Sequence, residues 1–244
     1  MIEMTYLLNS GFLVRVGRTL LVFDDFKDPA GAVDAAAAAA DFDHLYFFAS
    51  HSHFDHFDAH IQRYEAQADR YILSDDIRCM KDCSVFDTQK LTFLKPYASW
   101  QDDVLAVESF DSTDLGTSFC VTLKEEGTTI FHAGDFNWWD WTGEPAEQRK
   151  LAENAFRKQM KKLEGLEADV AFFPVDGRMG PSLDKGAKVF CAETRIRALV
   201  TMHSIGYPAW QPPADFFAPG REIPVWSPRK PGEKNCLKDG RLLK

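Results

Sequence analysis

Long apolar runs are missing from this sequence. None of its 244 residues falls in a stretch approaching the ~18–20 uninterrupted hydrophobic side chains that cross a bilayer as a helix, so no membrane partner is expected. CxxC pairs are missing too. The five cysteines, Cys79, Cys83, Cys120, Cys191 and Cys236, are odd in number and scattered. A zinc ribbon therefore fails on spacing, and the cysteines read as ordinary intracellular thiols. Basic charge is in deficit, with 28 Lys and Arg against 37 Asp and Glu and a net charge of −9. A polyanion would be repelled at long range, so long nucleic acids are poor partners, whereas a small or neutral molecule would be tolerated. The opening Met1-Ile2-Glu3-Met4 lacks the basic and apolar regions of a secretory signal, and the expected location is the cytoplasm. Histidine is scarce, at seven residues.

What is present suits a folded domain: 45% hydrophobic and 13% aromatic residues are enough for a substantial core. The first 25 residues read as a β-meander, with strands at 5–8, 12–16 and 19–23 separated by turns at Asn9-Ser10-Gly11 and Gly17-Arg18. Asp34 and the alanines Ala35 to Ala40 predict a small-residue helix packed on a sheet. Leu45 to Ser50 reads as a strand buried on both faces. Further short strands are expected at 71–73, 104–107, 118–123, 128–131, 170–175 and 198–202, with a long helix from Pro145 to Leu163. Seven prolines after residue 207 predict a loop-rich end with one short strand. With no internal repeat and no linker, the reading is one α/β domain over residues 1–244.

Chemistry concentrates immediately after the buried strand. His51-Ser52-His53-Phe54-Asp55-His56 compresses three of the seven histidines and a carboxylate into one loop. Imidazole and carboxylate donors together suit Zn, Mn or Fe ions. A lone loop histidine would mean little; three with an aspartate point to a metal.

This stretch resembles the HxHxDH signature of the metallo-β-lactamase-fold superfamily, and the resemblance runs along most of the chain. Ser10-Gly11 and Asp24 resemble the opening hairpin, Phe131-His132-Ala133-Gly134-Asp135 the strand-end Gly-Asp, and Met202-His203 the final histidine, in the family's order. The HAGD form looks most like UlaG-type small bacterial hydrolases. The resemblance implies a four-layer αββα sandwich with the cluster, Asp135 and His203 at one edge of two sheets. It implies one or two divalent ions: His51 and His53 at the first site, Asp55, His56 and His203 at the second, and Asp135 between. The family's remaining first-site ligand is usually a histidine, and none lies between His60 and His132. Asp114 in Asp111-Ser112-Thr113-Asp114-Leu115-Gly116 sits at the matching place. His132 is the competing candidate, with a supporting role behind the ligands as the favoured alternative. If not a ligand, Asp114 would cap the turn before Gly116.

Asp24 would support the histidine loop by hydrogen bonding, the alternative being a solvated turn carboxylate. Val175-Asp176-Gly177-Arg178 would reach the pocket rim. Trp138, Trp139 and Trp141 would pack in the core or stack on a substrate, with packing favoured. His60 would face solvent or support the site. The implied activity is hydrolysis of a small substrate (ester, amide, lactone or phosphodiester) by activated water, with Asp55 as the candidate catalytic proton carrier. Two other classes compete: an iron redox or sensing protein, and a metal-poor binding module on a degenerate fold. Homo-oligomerisation stays open.

Overall fold

The computed structural model describes residues 1–243. The chain forms β1 (Ile2–Leu8), β2 (Gly11–Val16), β3 (Thr19–Phe23), α1 (Ala32–Ala39), β4 (His44–Ala49), β5 (Arg70–Ser74), β6 (Leu91–Leu94), β7 (Ser99–Gln101), β8 (Leu105–Asp111), β9 (Thr117–Leu123) and β10 (Thr128–His132). The second part contributes α2 (Ala146–Met160), β11 (Glu167–Ala168), β12 (Val170–Pro174), α3 (Lys185–Glu193), β13 (Arg195–Ile196), β14 (Leu199–Met202), β15 (Val225–Trp226), β16 (Lys234–Lys238) and β17 (Arg241–Leu243). Two large sheets result, ordered β17-β16-β1-β2-β3-β4-β5-β6 and β15-β14-β12-β10-β9-β8-β7. The meander β1-β2-β3 is antiparallel, and β3 to β6 run parallel. In the second sheet β10, β12 and β14 are parallel.

Alternation along the strands builds the layers. In β4, Tyr46 and Phe48 point to the core between the sheets, whereas Leu45, Phe47 and Ala49 join the outer cluster under Val33 and Ala37 of α1. The strand is therefore buried on both faces, as a continuous apolar run requires. Phe12 meets Phe172 and Phe48 meets Phe119 across the sandwich. On the far face of the second sheet, Phe131 and Phe173 stack on Phe190 of α3, and Phe136 stacks on Phe156 of α2. Helix, sheet, sheet and helix layers follow one another, the expected αββα order. No described helix is long and apolar enough to cross a membrane.

The sequence reading is corrected at three places. The C-terminal segment holds three strands, β15 to β17, rather than one. Its β16–β17 hairpin turns at Asp239-Gly240, both at positive φ, an Asp-Gly two-residue signal that the preceding prolines obscure. Helix α3 has no counterpart among the expected elements, because Gly186 interrupts its pattern; a Cβ there would lie 2.0 Å from Asn137 Oδ1. The alanine helix also starts earlier, at Ala32, and stops where Ala40 turns left-handed.

One buried carboxylate ties both outer helices to the second sheet. Asp140 accepts from Arg149 of α2 (Nε 2.5 Å, Nη2 2.8 Å), from Ser182 Oγ at 2.9 Å and from Lys185 of α3. Arg149, burial working against it, and Lys185 hold the Asp140 carboxyl well below the usual carboxylate range. Asp140→Ala is expected to cost about 1–3 kcal/mol, lowering the Tm by roughly 3–10 °C at this size. Because the folded pKa is depressed, the contribution is complete above the unfolded value near 3.9 and fades as pH falls below it. Melting curves of both proteins should differ by a constant amount between about pH 5 and pH 8 and converge in stronger acid.

Candidate metal centre

The strands deliver the cluster to one edge of the sandwich. Asp24 follows β3, the 50–56 loop follows β4, Gly134-Asp135 follows β10, Asp176 follows β12 and His203 follows β14. These are carboxyl ends of parallel strands, where α/β sheets place their ligands. Two groups of donors meet there. His51, His53, Asp114 and Asp135 form one and Asp55, His56 and His203 the other, with the donor atoms of each group within 4.8 Å of one another.

Asp135 stands between the groups. Its Oδ2 lies 3.6 Å from His51 Nε2, and its Oδ1 lies 3.2 Å from His56 Nε2 and 3.3 Å from His203 Nε2. In the first group His53 Nδ1 is 3.0 Å from His51 Nε2 and 3.7 Å from Asp114 Oδ2. In the second, Asp55 Oδ2 is 3.9 Å from the Nε2 atoms of both His56 and His203. His56 Nε2 and Asp135 Oδ1 are buried and without a hydrogen-bond partner among the described residues. Orphaned buried polar atoms are costly, and their convergence fits a cation.

Three of the four imidazoles are aimed from behind. Asp24 accepts from the Ser50 N–H and hydroxyl and from His56 Nδ1, all at 2.7 Å. Ser50 Oγ lies 3.0 Å from His51 Nδ1, and His203 Nδ1 donates to Asp176 at 3.1 Å. Protons held on these Nδ1 atoms leave three Nε2 atoms facing the centre, where each could give a lone pair to a cation that displaces its proton, as metal-bound histidines require. Arg178 grips Asp176 through Nε and Nη2. Asn9 Nδ2 donates to Asp55 at 3.0 Å while its carbonyl accepts from the His203 N–H.

The charge balance follows burial and neighbours. Burial pushes His51 down to about 4, keeping it neutral. Burial opposes charge at His203 and His56 as well, yet Asp135 and the carboxylates behind outweigh it, lifting His203 to about 9 and His56 well above the ordinary value. Asp135, despite burial, is held well below the carboxylate range by His56 and His203. Asp114 moves the other way, raised by burial and by Asp135. A carboxylate-rich centre of this kind favours positive charge at its middle.

His132 does not reach the cluster. Its Nε2 donates to the Ser10 carbonyl at 2.9 Å, its Nδ1 accepts from the Gly134 N–H at 3.2 Å, and its ring stacks on Phe23. With both nitrogens engaged it lies behind the Gly-Asp turn, and Asp114 is the side chain beside His53. The Asp114 turn is capped by Ser112, whose Oγ accepts from the Asp114 N–H at 3.2 Å. Asp24 is buried, not a solvated turn residue. His60 sits 3.3 Å from buried Asp25, away from the cluster. The tryptophans divide between the two expectations, packing and a place in the pocket. Trp138 stacks on Phe156, whereas Trp139 and Trp141 line a cavity of about 730 Å³ beside His53, Asp55, Asp114, Asp135 and His203. Ser50, Asn9 and the part Asp176 plays behind His203 were not foreseen. Asp176 follows a buried strand, a usable signal; Asn9 carries none.

No protein-family model and no curated protein matches the sequence. Solved structures do match. Igni18, described as a novel metallo hydrolase from the hyperthermophilic archaeon Ignicoccus hospitalis, is 17% identical with a TM-score of 0.64, over 96% of this chain and 97% of that one. The metallo-β-lactamase-fold protein YhfI of Bacillus subtilis is 12% identical, TM-score 0.54, over 96% and 99%. CmlA of Streptomyces venezuelae, a diiron β-hydroxylase, is 13% identical, TM-score 0.52, over 83% of this chain but 44% of its own. The chain has the metallo-β-lactamase fold.

Proposed function

We propose that this protein is a metal-dependent hydrolase of a small substrate, working with one or two divalent ions, zinc, manganese or iron. In this reading His51, His53, Asp114 and Asp135 hold one ion, and Asp55, His56, His203 and Asp135 hold the other. The observation that carries it is the convergence of orphaned His56 Nε2 and Asp135 Oδ1 inside two donor groups that share Asp135. The metallo hydrolase of similar fold supports it. When bound, divalent ions would supply Lewis acidity and a water acidic enough to ionise near neutral pH. The chain's own residues do the rest. Asp24, Ser50 and Asp176 orient the imidazoles, and His132 braces the turn that carries Asp135. Asp55, steadied by Asn9 and lining the cavity, is the side chain placed to take and return a proton. Elemental analysis after reconstitution, combined with a panel of esters, lactones, amides and phosphodiesters, tests the reading; absence of bound metal overturns it.

The two carboxylates beside two imidazoles in the first group favour one second reading, an iron redox protein, which the fold likeness to a diiron hydroxylase supports. Bound iron that changes oxidation state, with no turnover anywhere in the panel, would favour it.

Asp114 bears on the metal in either reading. A carboxylate where histidine would otherwise stand makes the first group harder, shifting preference toward Mn²⁺ or Fe²⁺ relative to Zn²⁺. Asp114→His is expected to move the Zn-to-Mn occupancy ratio in competitive reconstitution toward zinc by about tenfold. Unchanged occupancy, with Asp114→Ala equally silent, would show that Asp114 is no ligand.

A further inference from the structure

The cavity beside the cluster has a wall whose chemistry differs from its floor. The floor is acidic: Asp55, Asp114 and Asp135 line it, with Glu144 on the rim. Arg178 is the one arginine or lysine lining it, and its charge is matched by Asp176, which it grips directly. Two divalent cations would do no more than neutralise the four carboxylates, so the loaded cavity offers an anionic substrate no net attraction. The wall is apolar. Trp139 and Trp141 stack on each other at 5.7 Å with planes 6° apart, and the Trp139 and His203 rings meet edge to face, 62° apart with centroids at 5.5 Å. Its indole N–H donates to the Asp135 carbonyl at 3.0 Å, fixing the ring beside the donor groups. Across from it, Leu151, Ala152 and Ala155 of α2 line the same space, the alanines leaving it open. Phe54, between His53 and Asp55, is 84% exposed, and Leu151 is 55% exposed. Neither has a packing role that would explain an aromatic or leucine side chain in water, and grouped exposed apolar side chains at a cavity mouth mark a binding surface.

We propose that this cavity selects an uncharged carbonyl substrate (ester, lactone or amide) whose apolar arm, aryl or medium-length acyl, lies along Trp139, Trp141, Leu151 and Phe54. The proposal rests on the hydrolase reading and narrows it, turning away phosphodiesters. Hydrolysis of such an ester joins the oxygen of water to the carbonyl carbon and breaks the bond from that carbon to the alcohol oxygen. One water proton goes to the departing alkoxide and the other is released, leaving a carboxylate.

Two measurements on the metal-reconstituted protein separate this proposal from the reading beneath it. The first compares kcat/KM for p-nitrophenyl acetate, p-nitrophenyl hexanoate and the anionic diester bis(p-nitrophenyl) phosphate. Each methylene laid on the wall can contribute up to about fourfold, so hexanoate should exceed acetate by at least about tenfold, with the phosphodiester slowest. The second follows saturable quenching of tryptophan fluorescence by uncharged 4-nitrobenzyl alcohol, which needs no turnover. The Phe54→Ser, Leu151→Ser double variant should weaken that binding at least about fivefold and flatten the chain-length dependence, because both side chains are exposed and the fold does not rely on them. Turnover without chain-length dependence, unaltered by the double variant, overturns the proposal while leaving the hydrolase reading intact. A preference for the phosphodiester overturns it equally. Wall-dependent binding of the alcohol without turnover of any substrate would uphold the apolar wall and defeat the hydrolase reading.

Discussion

The His53→Ala, His56→Ala double variant is expected to bind essentially no zinc or manganese, against one or two equivalents in the reconstituted parent protein. Each substitution removes a donor from a different group, so neither half of the centre keeps its set. The two also differ in what else they disturb. His56 is fully buried, and its Nδ1 donates to Asp24; truncating it leaves a buried carboxylate without its nearest cationic partner, so part of the effect is loss of stability. His53 is exposed and carries little packing. His53→Ala alone should therefore keep the parent Tm without metal while weakening the first group by more than about tenfold, since removing a ligand should cost at least as much as removing a residue behind one. Inductively coupled plasma measurements on both variants, with melting curves in chelator, separate the contributions. Full metal occupancy in the double variant would defeat the assignment of the centre.

Gly116→Ala should be the most damaging single-methyl change near the site. Gly116 has φ +71°, and a Cβ there would stand 2.1 Å from the Ser50 carbonyl oxygen and 2.5 Å from His51 Cβ. The neighbours are backbone and a buried imidazole, not a flexible side-chain end, so neither can yield cheaply. The approach has a purpose: the next residue, Thr117, donates its N–H to Ser50 O at 2.8 Å, pinning the Asp114 turn against the histidine loop. The left-handed backbone alone costs an alanine about 1–2 kcal/mol. Gly127, at φ +60° with nothing near its Cβ position, isolates that cost. Gly127→Ala should lower the Tm by only a few degrees, whereas Gly116→Ala should lower it by more than about 10 °C and reduce metal affinity by at least about tenfold as Asp114 and His51 are forced apart. Equal melting temperatures for the two variants would show that the 112–116 turn yields without strain.

The β-meander, the doubly buried strand at 45–50 and the helix from Pro145 are local patterns, set by alternation, apolar runs and propensity, and they stand in the structure with shifts of a few residues. The loop 51–56 is legible for the same reason: its donors are contiguous, so their proximity needs no fold. Asp135 and His203, each at the end of an apolar strand, were reached through the family resemblance of their motifs. The β16–β17 hairpin and α3 escaped, the first behind a proline-rich stretch and the second because Gly186 breaks its pattern.

The chain alone thus determined the strand grammar, the acidic balance and a histidine loop able to hold metal. Only the tertiary structure decided which distant groups stand around it. Asn9 reaches Asp55 across 46 positions of sequence, Asp176 comes up behind His203, and Arg178 binds Asp176 rather than standing free. It also brought Asp114, and not His132, beside the other donors, both ring nitrogens of His132 being taken by backbone groups, and it divided three neighbouring tryptophans between core and cavity. The physical reason is common to all of these. Donor chemistry belongs to a residue, but lone-pair direction and burial are set by neighbours that the fold brings from elsewhere in the chain.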